Sequence, residues 1–157
     1  MDMLLKLLNK NARLTNEQLA NMLNVSESEV RERIAKLEKD GALCAYKAVV
    51  NWEKTDRERV TAIIELKVIP RPDVGFEEIA ERISAFDEVE SVYLMSGGYD
   101  LSVRVNGHSF QEIASFVSKR LATLDSVQST ATHFILSRYK ESSVAFTTKE
   151  KDERNQL

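Results

Sequence analysis

Apolar residues recur along this chain with two different periods, and the change of period divides it. Up to about residue 50 they fall every three or four positions, the spacing of helices with one buried face. Leu4, Leu5, Leu7 and Leu8 predict a short first helix within 1–11, closed by Asn9-Lys10-Asn11. Thr15 followed three residues later by Gln18 is a capping-box pattern, and it predicts a second helix to Leu23 that buries Leu19, Ala20 and Leu23. Asn24-Val25 then makes the turn. Ser26 with Glu29 repeats the box, and Val30, Ile34 and Leu37 set one apolar stripe on a third helix that Gly41 stops.

From Val60 the pattern becomes strand, helix, strand, strand, helix, strand. Val60–Ile69 alternates, with Ile64, Leu66 and Val68 on one side, and Pro70 and Pro72 end it. Phe76, Ile79, Ala80, Ile83 and Phe86 form a helical stripe. Val89–Ser96 and Leu101–Val105 are strands joined through Gly97-Gly98-Tyr99-Asp100, with a turn at Asn106-Gly107. Ser109 and Glu112 cap a helix carrying Phe110, Ile113, Val117 and Leu121, and Ser126–Tyr139 closes the set as one long strand. This order predicts the βαββαβ, ferredoxin-like arrangement, with two helices on one sheet face and an uncovered face that needs a partner, since an open face bearing apolar residues invites homodimerisation.

The expected fold class is therefore α+β, with four segments. A helix-turn-helix domain covers 1–50, a charged hinge around Trp52 covers 51–59, and the ferredoxin-like domain covers 60–140. A C-terminal extension, 141–157, ends in the polar run from Lys149 and is expected to be partly disordered, with a possible short strand at Val144–Thr147.

Charge at first opposes a nucleic-acid role, since the net value is −3. Residues 1–51 nevertheless carry eight Lys and Arg against seven Asp and Glu, which leaves −4 for the remainder. DNA contact has to come from local charge. On the third helix, Ser28, Arg31, Glu32, Ala35, Lys36 and Lys39 point away from the apolar stripe, small residues sitting where a groove is approached closely. Taken alone, the same segment is equally an amphipathic hairpin with Glu29–Arg33 and Glu32–Lys36 pairs on a solvated face.

Catalysis finds no support. Cys44 sits in an apolar stretch and is expected to be buried packing, and His108 and His133 lack metal-ligand spacing. No Gly-rich phosphate loop opens a helix, so neither metal nor cofactor is expected. The Leu101–Val105 strand carries none of the aromatics that an RNA-binding sheet uses. A single cysteine, no leader pattern and no membrane-length apolar run predict a cytoplasmic protein without a membrane partner.

The segments NARLTNEQLANMLNVSESEVRERIAKLEKDGAL, SGGYDLSVRV and STATHFILSRY, in that order, resemble the Lrp/AsnC, or feast/famine, family of prokaryotic transcription regulators over residues 2–140. The resemblance implies a winged-helix-like DNA-binding domain and an effector domain that dimerises through its sheet and assembles to tetramers or octamers. It also implies an amino acid or related metabolite as effector and double-stranded DNA as partner. Its base-reading helix falls on Ser26–Asp40, with Ser26 at the start and Ser28, Arg31, Glu32 and Lys36 toward the groove. Arg33 lies either against phosphate or paired with Glu29. The effector pocket falls on Ser96, Gly97, Gly98, Tyr99 and Asp100 with Thr130 and Thr132. There Asp100 suits an ammonium, while backbone N–H groups and the two hydroxyls suit a carboxylate. A tight hairpin turn for the glycines and a turn-capping carboxylate for Asp100 are the structural alternatives. The rival reading of the whole chain is a stand-alone metabolite-sensing module that binds no DNA.

Overall fold

The computed structural model describes residues 2–56, 59–70 and 75–146. Pro72 and the tail from Thr147 onward, for which disorder is expected, lie outside the described residues. The chain divides into two compact units, Met1–Val50 and Asn51–Leu157.

Three helices make the first unit: α1 (Met3–Lys10), α2 (Asn16–Leu23) and α3 (Glu27–Lys39). Leu4, Leu8, Leu19, Ala20 and Val30 are its buried centre, with Leu14, Leu23, Ile34 and Leu37 packed around them. Local chemistry sets each boundary. Thr15 Oγ1 accepts from the Gln18 N–H and Gln18 Oε1 from the Thr15 N–H, at 3.2 and 2.9 Å, a complete capping box. Asn24 turns the chain between α2 and α3 with φ of 55°, a left-handed conformation that asparagine tolerates. At the end of α3, Gly41 adopts φ of 69°, and the Ala42 N–H donates to the Leu37 carbonyl and the Gly41 N–H to that of Glu38. Residues 44–50 then run in neither helix nor strand.

The second unit holds an antiparallel sheet in the order β2-β3-β1-β4, built from β1 (Val60–Val68), β2 (Val89–Leu94), β3 (Leu101–Gly107) and β4 (Val127–Phe134). Helices α4 (Phe76–Ser84) and α5 (Phe110–Phe116) supply the cover. Ala62, Ile64, Leu66 and Val68 of β1 and Leu101, Val103 and Val105 of β3 share a core with Ile79, Ile83, Ile113 and Phe116. That is the alternation of half-buried strands closed by two helical stripes.

Several expectations needed revision. The second long helix is α5 followed by a wider π turn, Val117–Leu121, across which Phe116, Val117 and Leu121 all stay buried. Asn106-Gly107 is not a turn but the end of β3, paired with Thr61 and Val60, because the Asn106 side chain joins a polar cluster on β1. The last strand stops at Phe134. Beyond it, β5 (Lys140–Glu141) and β6 (Val144–Ala145) form a small hairpin through Ser142 and Ser143, both at positive φ. Cys44 is exposed, its thiol 3.1 Å from the Gly41 carbonyl, rather than buried.

Candidate functional site: the exposed face of the third helix and the turn between the second and third strands

On α3 the inward stripe is seated and the outward face is free. Val30 is fully buried and Ile34 and Leu37 are half-buried, whereas Ser28, Arg31, Glu32, Ala35, Lys36 and Lys39 are exposed. Among the described residues Arg31, Glu32, Lys36 and Lys39 enter no hydrogen bond or ion pair. Arg33 differs. Its guanidinium is 2.6 Å from Glu29 Oε1, the i,i+4 pair open as an alternative in the sequence, and this diverts Glu29 from the second half of its capping box. Ser26 retains the first half, its hydroxyl accepting from the Glu29 N–H at 3.1 Å. Glu27 and Glu29 in the first turn and Lys36 and Lys39 in the last complement the helix dipole. The helix therefore presents Arg31 and Lys36 as unpaired cations on an end-capped, charge-balanced frame.

In the second unit the turn between β2 and β3 is held from three sides. The Met95 N–H donates to the Asp100 carbonyl, the Asp100 N–H to the Leu66 carbonyl, and the Val68 N–H to Asp100 Oδ2 at 2.8 Å. The Asp100 carboxylate thus ties the turn to β1 rather than capping the turn's own backbone, and its Oδ1 accepts no bond among the described residues. Gly97 takes φ of 147°, which a side chain disfavours, and Ser96, Gly97 and Gly98 are exposed while Tyr99 is half-buried.

Thr130 pairs across from Leu66 and Thr132 across from Ile64, so both point to the helix-covered side of β4, at the edge of the sheet. Both are half-buried, and neither hydroxyl is bonded among the described residues. Leu66 is also opposite Leu101. Asp100 and Thr130 are therefore at the same end of the sheet on either side of β1, roughly two strand spacings, ~10 Å, apart.

The open sheet face bears apolar residues, as expected, but few of them. Ile63 and Tyr93 are exposed there, but most of the face is polar, carrying Thr61, Glu65, Ser102, Arg104, Asn106 and His133. A bulge in β2 between Val89 and Ser91 frees Glu90 from the ladder. Its carboxylate takes the Asn106 amide at 3.0 Å and lies 3.2 Å from Arg104 Nε. Arg104 grips Glu141 of the β5–β6 hairpin through two parallel bonds of 2.7 and 2.9 Å. The hydrogen bond to Arg104 is the main reason that the Glu141 carboxyl titrates below its ordinary range. Arg138 donates to the buried Thr61 hydroxyl; burial first, and then the neighbouring Arg104, lower its pKa. Alternation puts Arg104 off the core face, but no local pattern names Glu141 as its partner.

A three-helix unit whose third helix exposes a polar, charged face, followed by a βαββαβ domain, is the architecture of a DNA-binding regulator with an attached sensing domain. Family models agree on both halves: residues 3–38 match the AsnC-type helix-turn-helix domain and residues 61–145 the Lrp/AsnC ligand binding domain. The chain is 50% identical over 152 residues to the uncharacterized HTH-type transcriptional regulator YugG of Bacillus subtilis strain 168, covering 96% of this chain and 92% of that protein. It is 28% identical to the leucine-responsive regulatory protein of Haemophilus influenzae, over 85% of this chain and 80% of the relative. The transcriptional regulator NMB0573 of Neisseria meningitidis, solved as its L-Met complex, is 25% identical with a TM-score of 0.72, over 90% and 93% of the two chains. The chain belongs to the Lrp/AsnC family of DNA-binding transcriptional regulators, which are not enzymes. No helix among the described residues is long and apolar enough to cross a membrane.

Proposed function

We propose that the chain is a cytoplasmic, homo-oligomeric regulator that reads double-stranded DNA through α3 and is switched by an amino acid or a close relative. Ser28, Arg31, Glu32 and Lys36 face the groove. Ser26 fixes the start of the helix, and Arg33 reaches phosphate only by leaving Glu29. The observation that carries this is the unpaired state of Arg31 and Lys36 on the exposed face of a helix whose start is capped. One such face is nearly neutral and binds weakly alone, so two or more copies at helical-turn spacing supply the affinity. The polar, arginine-bearing open sheet face and its Ile63 and Tyr93 are the surface for the second copy, with tetramers or octamers built from that dimer.

The effector site comprises Ser96, Gly97, Gly98, Tyr99, Asp100, Thr130 and Thr132. Asp100 Oδ1 takes the ligand ammonium, and the Gly97 and Gly98 N–H groups with the two free threonine hydroxyls take its carboxylate. The methionine held by the Neisseria regulator and the leucine in the name of the Haemophilus relative make these two the first compounds to try. A thermal-shift screen of the intact chain against the standard amino acids tests this, because a ligand that binds only the folded state raises the midpoint. A shift with at least one aliphatic or thioether amino acid is expected. A flat response across the set rejects the amino-acid reading.

A further inference from the structure

At the far end of β3 from the Gly97–Asp100 turn, the second unit has an open cleft of about 420 Å³. Six strand residues separate the two places, roughly 20 Å. Its walls include Trp52, Arg59, Asp87, Glu88, His108 and Glu112. The volume is that of a small-metabolite site.

The sign of a ligand follows from what each wall group already does. Arg59 is engaged three times: its guanidinium lies 4.8 Å from the centre of the Trp52 ring, its Nε donates to Asn106 Oδ1 at 3.1 Å, and Nη2 is 3.6 Å from Glu90. Glu112 Oε2 accepts the His108 N–H at 2.6 Å. Glu88 Oε1 holds Arg120 at 2.7 Å, while its Oε2 is shielded from solvent and accepts no bond among the described residues. Asp87 is exposed and enters no hydrogen bond or ion pair among them. Among the described residues the unspent capacity is thus that of acceptors, and an anion entering the cleft meets the carboxylates of Asp87, Glu88 and Glu112 and one occupied guanidinium. Trp52 adds an aromatic wall that already attracts one cation.

We propose that this cleft binds a small organic cation, an amine or guanidine on a short apolar stem, with Asp87 as its ion-pair partner and Trp52 as the surface for the stem. This site is separate from the amino-acid site above, and neither depends on the other. Trp52 is the only tryptophan in the chain, so its emission reports the cleft directly. Agmatine titrated into the intact protein at low salt should change that emission saturably, and added NaCl should weaken the response. Asp87→Asn, at an exposed position, should keep the melting temperature and weaken agmatine about ten-fold, the size expected for one charge-assisted contact. Asp100→Asn should leave the titration unchanged, which separates this cleft from the amino-acid site. Succinate should produce no saturable change. The proposal is overturned by a flat or linear agmatine response up to about 10 mM, well past a millimolar Kd. An unchanged agmatine affinity in Asp87→Asn, or saturation by succinate in place of agmatine, overturns it equally.

Discussion

Asp100 is asked to do two things, and two substitutions separate them. Its Oδ2 accepts the Val68 N–H at 2.8 Å, and Val68 is only 6% exposed, so water cannot replace the bond freely. Asp100→Ala leaves that buried donor unsatisfied, a cost of about 1–3 kcal/mol. For a domain near a hundred residues each kcal/mol moves the melting temperature by about 4 °C or more, so a fall of about 4–12 °C is expected. Asp100→Asn keeps an oxygen for the same N–H and exchanges a charged acceptor for a neutral one, so its loss should stay near 1 kcal/mol. The carboxylate charge, in contrast, is absent from both variants, and both should lose the effector-induced shift seen in wild type. Differential scanning calorimetry with and without the amino acid found in the screen reads both quantities. If Asp100→Ala melts with wild type, the Val68 bond does not stabilise the turn. If Asp100→Asn keeps the ligand shift, the carboxylate is not the ammonium partner.

Three further outcomes rest on single side chains elsewhere in the two units. Glu141 titrates below the ordinary glutamate range because Arg104 bonds its ionised form, so the pair stabilises above the unfolded-state pKa and is lost as pH falls through the folded one. Melting wild type and Glu141→Gln should show a gap of about 1 kcal/mol at pH 7, held low by partial exposure, that closes in acid; a gap that widens in acid contradicts the assignment. Thr15→Ala removes one half of a complete capping box and should cost the first unit about 1 kcal/mol by urea unfolding, whereas an unchanged midpoint would mean that the box contributes nothing. Ile64→Ala, at a fully buried central-strand position, should cost about 2–5 kcal/mol in the second unit, and a loss under about 1 kcal/mol would show that the core closes over the gap.

What was legible in the sequence was what neighbouring residues decide. Thr15 with Gln18, Asn24, Gly41 and the Ile64-Leu66-Val68 alternation fix boundaries and buried faces within a few positions, and the structure has each of them. Glu29 shows the limit of such reading, since a capping-box glutamate is also four residues from Arg33, and the ion pair took it. Pairings between distant positions left no local mark. Arg104 and Glu141 are 37 residues apart, and the bulge that releases Glu90 toward Arg104 exists only in the pairing of β2 with β3. Alternation did set Glu65 and Arg104 off the core face, but which charged groups meet on it depended on those distant pairings. Cys44, expected in packing because its neighbours are apolar, is exposed because the segment after Gly41 joins neither helix nor sheet.

DNA binding by α3 is the central claim, and a salt-dependent gel shift of the intact chain on genomic fragments tests it most directly. Wild type should bind at low salt, with log affinity falling linearly against log salt. Arg31→Ala with Lys36→Ala should weaken binding at least about ten-fold and make that slope shallower by about one for each phosphate that the variant no longer neutralises. No wild-type binding at low salt, or a double variant that binds with the wild-type affinity and slope, would contradict the account.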